Sequence, residues 1–240
     1  MTVLALNIEV YTDWKVPLTP EIAVQDTYEI VKQLDILFGY SKTWYLSGDT
    51  QEESLTRIAF DQQGITQEAI NYFKEDYAED FPMVTAGVWD GNDSPEGCAI
   101  LYQSYRINQL GQTKIELNIS IKEKDFQRDK FFNFIKFLVI SHNSPSVMIE
   151  NGQYSLKRNQ VFPDRLSAGW MLHLPTEIDP ALVPMAEEIL STSDKEGQIG
   201  TLIVTTREIF DIENQEHINN ANDIEICLRD LQLLPLLSEV

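Results

Sequence analysis

Residues 114–122, Lys-Ile-Glu-Leu-Asn-Ile-Ser-Ile-Lys, alternate between polar and apolar side chains along their whole length. Successive side chains of a strand point to opposite faces of a sheet, so this pattern predicts a strand with one buried and one wet face. Residues 83–89 and 98–107 form two more apolar runs, joined by a loop from Asp90 to Gly97 that is rich in turn-forming residues. The three runs together predict an antiparallel meander.

Upstream of this meander, the chain predicts a strand followed by an amphipathic helix. Residues 4–10 alternate in polarity as in a half-buried strand. Thr19-Pro20-Glu21 is typical of a helix start, because an N-cap precedes proline at the first helical position and an acid in the first turn. Apolar residues then recur at steps of three and four until Gly39, where the helix is expected to end.

Downstream of the meander, residues 131–138 are apolar on nearly every side and predict a helix in the centre of the core. Asn151-Gly152 is a strong signal for a two-residue hairpin turn. It predicts that residues 147–150 and 154–156 are paired strands.

The last third of the chain predicts two strands and two helices. Residues 168–174 and 200–206 have the composition of strands, the first with His173 on its outward face. A short helix is expected between them, with residues 189–190 on its inner side, and a longer helix is expected from about Asn214.

No linker, low-complexity run or repeat divides the 240 residues. Strands and helices interleave, but hairpins and alternating patterns dominate. The sequence therefore predicts an α+β fold, a single domain over residues 1–240 in which helices cover a mostly antiparallel β-sheet.

The charge of the chain is concentrated rather than spread. Of the formal net charge of −20, half lies between Asp49 and Gly97, where twelve acids stand against two bases, Arg57 and Lys74. Nucleic acids and membrane surfaces are themselves anionic, so neither is expected as a direct ligand. The excess of acids over bases favours a basic protein partner. The alternative is a solvated acidic surface with no binding role.

A helix predicted after Thr66 places acids opposite the apolar side chains Ile70, Phe73 and Tyr77. Trp89, at the turn into the acidic loop, is a candidate aromatic anchor beside them. The predicted partner-binding residues are Glu68, Glu75, Asp76, Glu79, Trp89, Asp90, Asp93 and Glu96. An alternative interface is the last helix, through Glu213, Glu216 and Asp223.

The sequence contains none of the local motifs that accompany common enzyme chemistry. The three histidines lack metal-type spacing, and there is no Gly-x-Ser-x-Gly elbow or phosphate-binding glycine loop. Cys98 and Cys227 are expected to be free thiols. We therefore expect no catalytic residue, metal or cofactor. No run of 18 apolar residues occurs, and a cytoplasmic location is expected.

Several short motifs, in order and spacing, resemble the immunity protein 52 family. They are Trp44-Tyr45-Leu46, Gly87-Val88-Trp89-Asp90-Gly91, Val161-Phe162-Pro163-Asp164-Arg165, Gly169-Trp170-Met171-Leu172, Glu216-His217 and Leu233-Leu234-Pro235. The resemblance implies a bacterial antitoxin of the polymorphic-toxin type, which binds and neutralises a cognate toxin inside the producing cell. It further implies a toxin with a basic nuclease domain of restriction-endonuclease type, delivered by a type VI secretion system.

Two other functions remain open at the level of the sequence. One is an adaptor or chaperone that holds a secreted effector without neutralising it. The other is a hydrolase with a dispersed carboxylate site, which predicts a deep acidic pocket or a bound metal. The sequence leaves open which toxin is recognised and whether the protein forms oligomers.

Overall fold

The computed structural model of the protein describes residues 2–78, 80, 82–94, 96–104 and 111–240. The chain forms two compact units, one of residues 1–3 and 13–138 and the other of residues 4–12 and 139–240. The first strand, β1 (Val3–Asp13), lies in the second unit apart from its end residues. Both units combine antiparallel strands with helices, so the predicted α+β fold is confirmed. A single domain over residues 1–240 stays a prediction.

The first unit contains the predicted meander. Its sheet strands are β2 (Tyr45–Leu46), β5 (Thr85–Trp89), β6 (Ala99–Ser104) and β7 (Gln112–Lys122), and a separate hairpin is formed by β3 (Phe60–Asp61) and β4 (Gly64–Ile65). Its helices are α1 (Pro20–Phe38), α2 (Gln51–Ser54), α3 (Gln67–Phe73) and α4 (Arg128–Ile140), the last of which ends two residues beyond the unit. The sheet strands lie in the order β7-β6-β5-β2, and each neighbouring pair is antiparallel.

Burial in the first unit follows the polarity of the sequence. The apolar side chains at every second position of residues 115–121 are at most 7% exposed, as the alternation predicts. Helix α1 begins after Thr19, whose hydroxyl accepts a hydrogen bond from the Ile22 amide, and ends at Gly39 with a φ of 78°. Helices α1 and α3 pack against strands β6 and β5. Residues 105–107 of the second predicted meander strand lie outside the described residues.

The second unit has a sheet of five strands and the last helix. In addition to β1 it contains β8 (Ser146–Asn151), β9 (Met171–Leu174), β10 (Glu188–Ser193), β11 (Ile199–Val204) and helix α5 (Gln215–Asp230). The strand order is β10-β11-β9-β8-β1, again with antiparallel neighbours. Helix α5 begins directly after Asn214, its N-cap and the position near which it was predicted to start, and buries Ala221, Ile224 and Leu228.

Two predicted secondary-structure elements in this unit are wrong. Ile189 and Leu190 lie in strand β10 rather than in a helix, where they pair with β11. Residues 154–156 form a turn rather than a strand. The Tyr154 side chain is fully buried there, and its hydroxyl donates a hydrogen bond of 2.6 Å to the side-chain oxygen of Asn222 on α5. That contact draws the chain away from the strand path.

His173 is also placed differently from its prediction. It was expected on an outward face of its strand, yet it is 1% exposed. Strand β9 lies between β11 and β8, and all four of its residues are buried. The two ring nitrogens of His173 lie 2.8 Å from the Pro145 carbonyl and 2.8 Å from the Thr192 hydroxyl. Burial lowers the pKa of His173 to about 4, so the ring is neutral at neutral pH.

The core of the second unit holds two carboxylates. Glu225 of α5 is 0% exposed and accepts hydrogen bonds from the Val161 amide, the Ala168 amide and the Tyr154 hydroxyl at 2.7, 3.0 and 3.2 Å. Glu150 of β8 is 4% exposed and accepts hydrogen bonds from residues 155 and 167. Burial raises the pKa of Glu225 to about 7, and the charge of Glu150 adds to the rise. The loop between β8 and β9 is thereby fixed to α5.

Candidate partner-binding site

The segment from Ser47 to Ser54 forms the centre of the candidate site in the first unit. The Thr50 hydroxyl caps α2 by accepting a hydrogen bond from the Glu53 amide, and the Glu53 carboxylate accepts one from the Asp49 amide at 3.0 Å. A Cβ atom at Gly48 would lie 2.9 Å from the Ser54 backbone nitrogen, so the close approach of the chain here depends on glycine. The segment is therefore fixed although its side chains are mostly exposed.

One side of this segment faces a groove of about 680 Å³, here called the acidic groove. Its lining residues are Ser47, Gly48, Asp49, Glu53, Thr56, Arg57, Glu68, Tyr72 and Glu75. Four carboxylates thus face one guanidinium, which gives the groove a formal charge of −3. A concave surface of one sign concentrates the electrostatic potential and attracts groups of opposite charge.

Arg57 is held in place by its neighbours on the groove wall. Its Nε donates a hydrogen bond of 2.8 Å to Glu68, its Nη1 donates to the Ser47 carbonyl, and its guanidinium lies 5.3 Å from the centre of the Tyr72 ring. The bond to Glu68 raises the pKa of Arg57, and the charges of Glu53 and Glu75 add to that rise. Arg57 is thus a fixed cation that neutralises Glu68, and the surplus charge of the groove lies on the other acids.

The other side of the Ser47–Ser54 segment faces a second groove of about 320 Å³, here called the tryptophan groove. Its lining residues are Ser47, Gly48, Asp49, Thr50, Gln51, Ser54, Trp89 and Asp93. The Ser54 hydroxyl accepts a hydrogen bond of 2.6 Å from Trp89 Nε1 and donates one to the Leu46 carbonyl. The indole is therefore fixed by a buried hydroxyl. The two grooves share residues 47–49, so together they form one continuous candidate site.

The turn after Trp89 also requires its glycine. Gly91 has a φ of 75°, and a Cβ atom there would lie 2.8 Å from the Tyr45 ring and 3.0 Å from the Leu55 side chain. The Tyr45 ring itself lies 6.5 Å from that of Trp89, centre to centre. The turn places Asp93 on the rim of the tryptophan groove.

The structure brings four of the eight predicted residues together in this site. Glu68 and Glu75 line the acidic groove, and Trp89 and Asp93 line the tryptophan groove. The grouping spans 26 positions of sequence and arises because α3 and β5 flank the Ser47–Ser54 segment.

The other predicted residues lie elsewhere. Asp90 is turned inward, with a side chain 4% exposed and an ion pair of 2.5 Å to Lys42. Glu96 lies 3.7 Å from Lys122 and lines a separate cavity. Asp76 is exposed and lines neither groove. Glu79 lies outside the described residues.

The helix that was predicted to carry these acids is shorter than expected. Helix α3 ends at Phe73, with Lys74 as its C-cap, so Glu75 follows the helix instead of lying on its outer face. Acids at a helix C-terminus face the negative end of the helix dipole, and the sequence places Glu75 and Asp76 there. Glu75 still reaches the acidic groove because the chain turns back toward Arg57.

Sequence reasoning missed several residues of the site. Asp49, Glu53 and Arg57 were counted in the acidic stretch but not assigned to the surface, and Ser54 and Tyr72 were not considered. The sequence contained one usable signal, the capping box formed by Thr50 and Glu53 directly after Gly48. It marked a rigid start of a helix in the middle of the most acidic part of the chain.

Within the ranges that the structure describes, no group of three or more histidine, cysteine, aspartate or glutamate side chains is arranged to hold a metal ion. None of the helices in those ranges is both long and apolar enough to span a bilayer.

Comparison with known proteins identifies a shared fold. No family model matches the chain, so the resemblance to the immunity protein 52 family stays a prediction. No curated protein matches either. Among solved structures, the chain is similar to the Pseudomonas aeruginosa T6SS protein PA0821, with a TM-score of 0.56 and 10% sequence identity. The match covers 94% of this chain and 72% of that one. At this identity, the likeness establishes a common fold with a T6SS protein.

Proposed function

We propose that the protein is an immunity protein that binds and neutralises a cognate toxin of a type VI secretion system, and that it catalyses no reaction. The proposal rests mainly on the pair of adjoining grooves, in which a surplus of exposed carboxylates lies beside a fixed tryptophan. The fold shared with a T6SS protein supports the same biological setting. The toxin implied by the resemblance is a nuclease with a basic groove for phosphates.

The charge of the acidic groove suits such a partner. A nuclease presents lysine and arginine side chains where it holds nucleic acid, and a carboxylate surface is able to occupy the same positions. Opposite charges accelerate association by steering the two proteins together. Arg57 neutralises Glu68. In this proposal the attraction is therefore supplied by the other three acids of the groove, Asp49, Glu53 and Glu75.

Affinity requires more than charge, because exposed ion pairs contribute little free energy of binding. Binding energy usually comes from a few aromatic or arginine side chains that are surrounded by residues excluding water. Trp89 meets that description, since its ring lines a groove while its Nε1 is already bonded to Ser54. A partner side chain is therefore able to stack on the indole without leaving a buried donor unpaired.

The decisive experiment is co-expression with candidate toxins taken from the genes adjacent to the one that encodes this chain. Cells that make the toxin and the wild-type chain are expected to grow, whereas cells that make the toxin with Trp89→Ala are expected to grow poorly. Purified chain should also inhibit the purified toxin in a nuclease assay. Cells killed equally with and without the wild-type chain would refute the proposal.

The same experiment separates neutralisation from a chaperone or adaptor role. A chaperone is expected to bind the effector and raise its level while leaving its activity intact. Complex formation with full toxin activity would therefore replace the proposed function by the adaptor alternative.

A further inference from the structure

Lys42, Asp90 and Cys98 form a charged cluster beneath the loop that carries Asp93. Lys42 precedes β2, Asp90 follows β5 and Cys98 precedes β6, so three segments of the first unit meet here. The Lys42 Nζ lies 2.5 Å from Asp90 Oδ2 and 3.2 Å from Cys98 Sγ. The proposed function assigns no role to this amine and thiol.

The surroundings combine burial with a route for a small molecule. Cys98 is 3% exposed and the Lys42 side chain is 13% exposed. Lys42 also lines a cavity of about 270 Å³. Cys98 does not itself line this cavity, so a molecule the size of hydrogen peroxide must pass the Lys42 side chain to reach the sulfur, which lies 3.2 Å from the amine.

We propose that a hydroperoxide converts Lys42 and Cys98 into a covalent crosslink through a sulfur–nitrogen bond. Reacting atoms held about 3 to 3.5 Å apart combine far faster than free molecules do, because the entropy of encounter has already been lost. Sulfenic acids are known to condense with nearby thiols and with nitrogen. The Nζ···Sγ distance of 3.2 Å falls in that range.

The reaction has two balanced steps. In the first, the sulfur attacks one oxygen of hydrogen peroxide and the O–O bond breaks; that oxygen stays on Cys98 as a sulfenic acid, and the other takes the thiol proton and leaves as water. In the second, Lys42 gives a proton to Asp90, its nitrogen forms a bond to sulfur, and the S–O bond breaks. The leaving hydroxide takes another N–H proton and departs as water. Sulfur loses two electrons and the peroxide gains them.

The protonation states of the cluster set the direction of the pH dependence. Burial raises the pKa of the Cys98 thiol, against the opposing charge of Lys42. Burial acts to lower the pKa of Lys42, but the hydrogen bond to Asp90 and the neighbouring Cys98 raise it overall. Both groups must lose a proton before the bond forms, so crosslinking is expected to be faster at pH 9 than at pH 7.

The test is peptide mapping of the full chain after treatment with hydrogen peroxide. The expected product joins the peptides that contain Lys42 and Cys98, is lighter than their sum by two hydrogen atoms, and separates on addition of dithiothreitol. Trypsin should fail to cleave after Lys42 in this product. Cys227→Ser is the matched control and should crosslink as the wild type does.

The second test uses the variant Lys42→Arg. Arginine keeps a positive charge beside Asp90, but it stays protonated and cannot act as the nucleophile. This variant should give no crosslink, and a dimedone probe should instead trap a sulfenic acid at Cys98. The proposal is overturned if Cys98 stays unmodified after Cys227 has been oxidised. It is also overturned if Cys98 passes to sulfinic acid with Lys42 intact, or if the product retains an oxygen between nitrogen and sulfur.

Discussion

The acids of the two grooves and the acids in the core of the second unit are the same chemical groups in opposite environments. Glu68 is 47% exposed at the acidic groove, whereas Glu225 is 0% exposed. The groove carboxylates present charge to the solvent, while the oxygens of Glu225 are occupied by three donors of the same chain. The carboxylates of one region are therefore exposed charges, for which we propose a binding role, and those of the other hold the internal structure together.

The strongest way to test this comparison is to remove Glu225. Glu225→Ala is expected to lower the free energy of unfolding by about 3 to 5 kcal/mol, because the buried Ala168 amide loses its acceptor and the Val161 amide and the Tyr154 hydroxyl each lose a hydrogen bond. Urea unfolding at pH 6 measures it. Asp223→Ala, at an exposed position of the same helix, is the control and should change stability by no more than about 0.5 kcal/mol. Equal effects of the two substitutions would contradict the comparison.

The pH dependence of stability gives the second test. The pKa of Glu225 is about 7 in the folded chain against 4.5 for an exposed glutamate. Between these values the unfolded state has lost the proton that the folded state keeps, so the free energy of unfolding falls as pH rises. One pKa unit corresponds to about 1.4 kcal/mol, which gives a loss of about 3 kcal/mol that is complete above pH 7.

Glu225→Gln isolates this contribution, because the amide does not titrate while other carboxylates titrate in both proteins. The stability of the wild type relative to this variant is expected to be about 2 to 3 kcal/mol greater at pH 5 than at pH 8. Chemical unfolding at the two pH values measures it. A difference that does not change with pH would mean that Glu225 is ionised throughout the range.

Charge reversal at the grooves should act on binding rather than on folding. Replacing Asp49, Glu75 and Asp93 together by lysine is expected to slow association with the toxin about 10- to 100-fold at low salt and to weaken its salt dependence. Stopped-flow mixing at several salt concentrations measures the rate. Unfolding by urea should confirm that stability changes little.

Reversal of Glu213, which precedes α5, together with Glu216 and Asp223 on α5 is the matched control, because it changes the net charge by the same amount in the other unit. It should leave most of the association rate intact. If instead the α5 variant binds slowly and the groove variant binds normally, the interface lies on the last helix.

The smallest expected effect concerns the local support of the grooves. Thr50→Ala removes the hydroxyl that caps α2 and is expected to cost about 1 kcal/mol of stability. Thr43→Ala, at an exposed position outside the helices, serves as control. Equal urea midpoints for the two variants would indicate that the cap does not stabilise the segment that the grooves share.

Local patterns predicted much of the fold. The alternation in residues 115–121 identified β7, and Thr19 and Gly39 marked the ends of α1 correctly. These features depend only on residues that are close together in the sequence. The outward placement of His173 was wrong because the burial of β9 depends on its neighbours in the sheet, which alternation within one strand does not reveal.

The candidate site was predictable only in part, for the same reason. An acidic stretch with a tryptophan was visible in the sequence, but its assembly around residues 47–49 depends on contacts between distant segments. Asp90 illustrates the limit, since its inward turn follows from a pairing with Lys42, 48 positions away. Composition indicates how much charge a region has, whereas the tertiary fold decides which of those charges solvent can reach.

The single hydroxyl of Ser54 lines the tryptophan groove, at the end of the Ser47–Ser54 segment that borders both grooves. It holds the indole of Trp89 on one side and the Leu46 backbone on the other, at the C-terminal end of α2. A ligand that tilts the indole must stretch this hydrogen bond and shift the segment that borders the acidic groove. A ligand bound in one groove would then change the shape of the other groove. The two grooves would therefore respond together to a bound partner rather than independently.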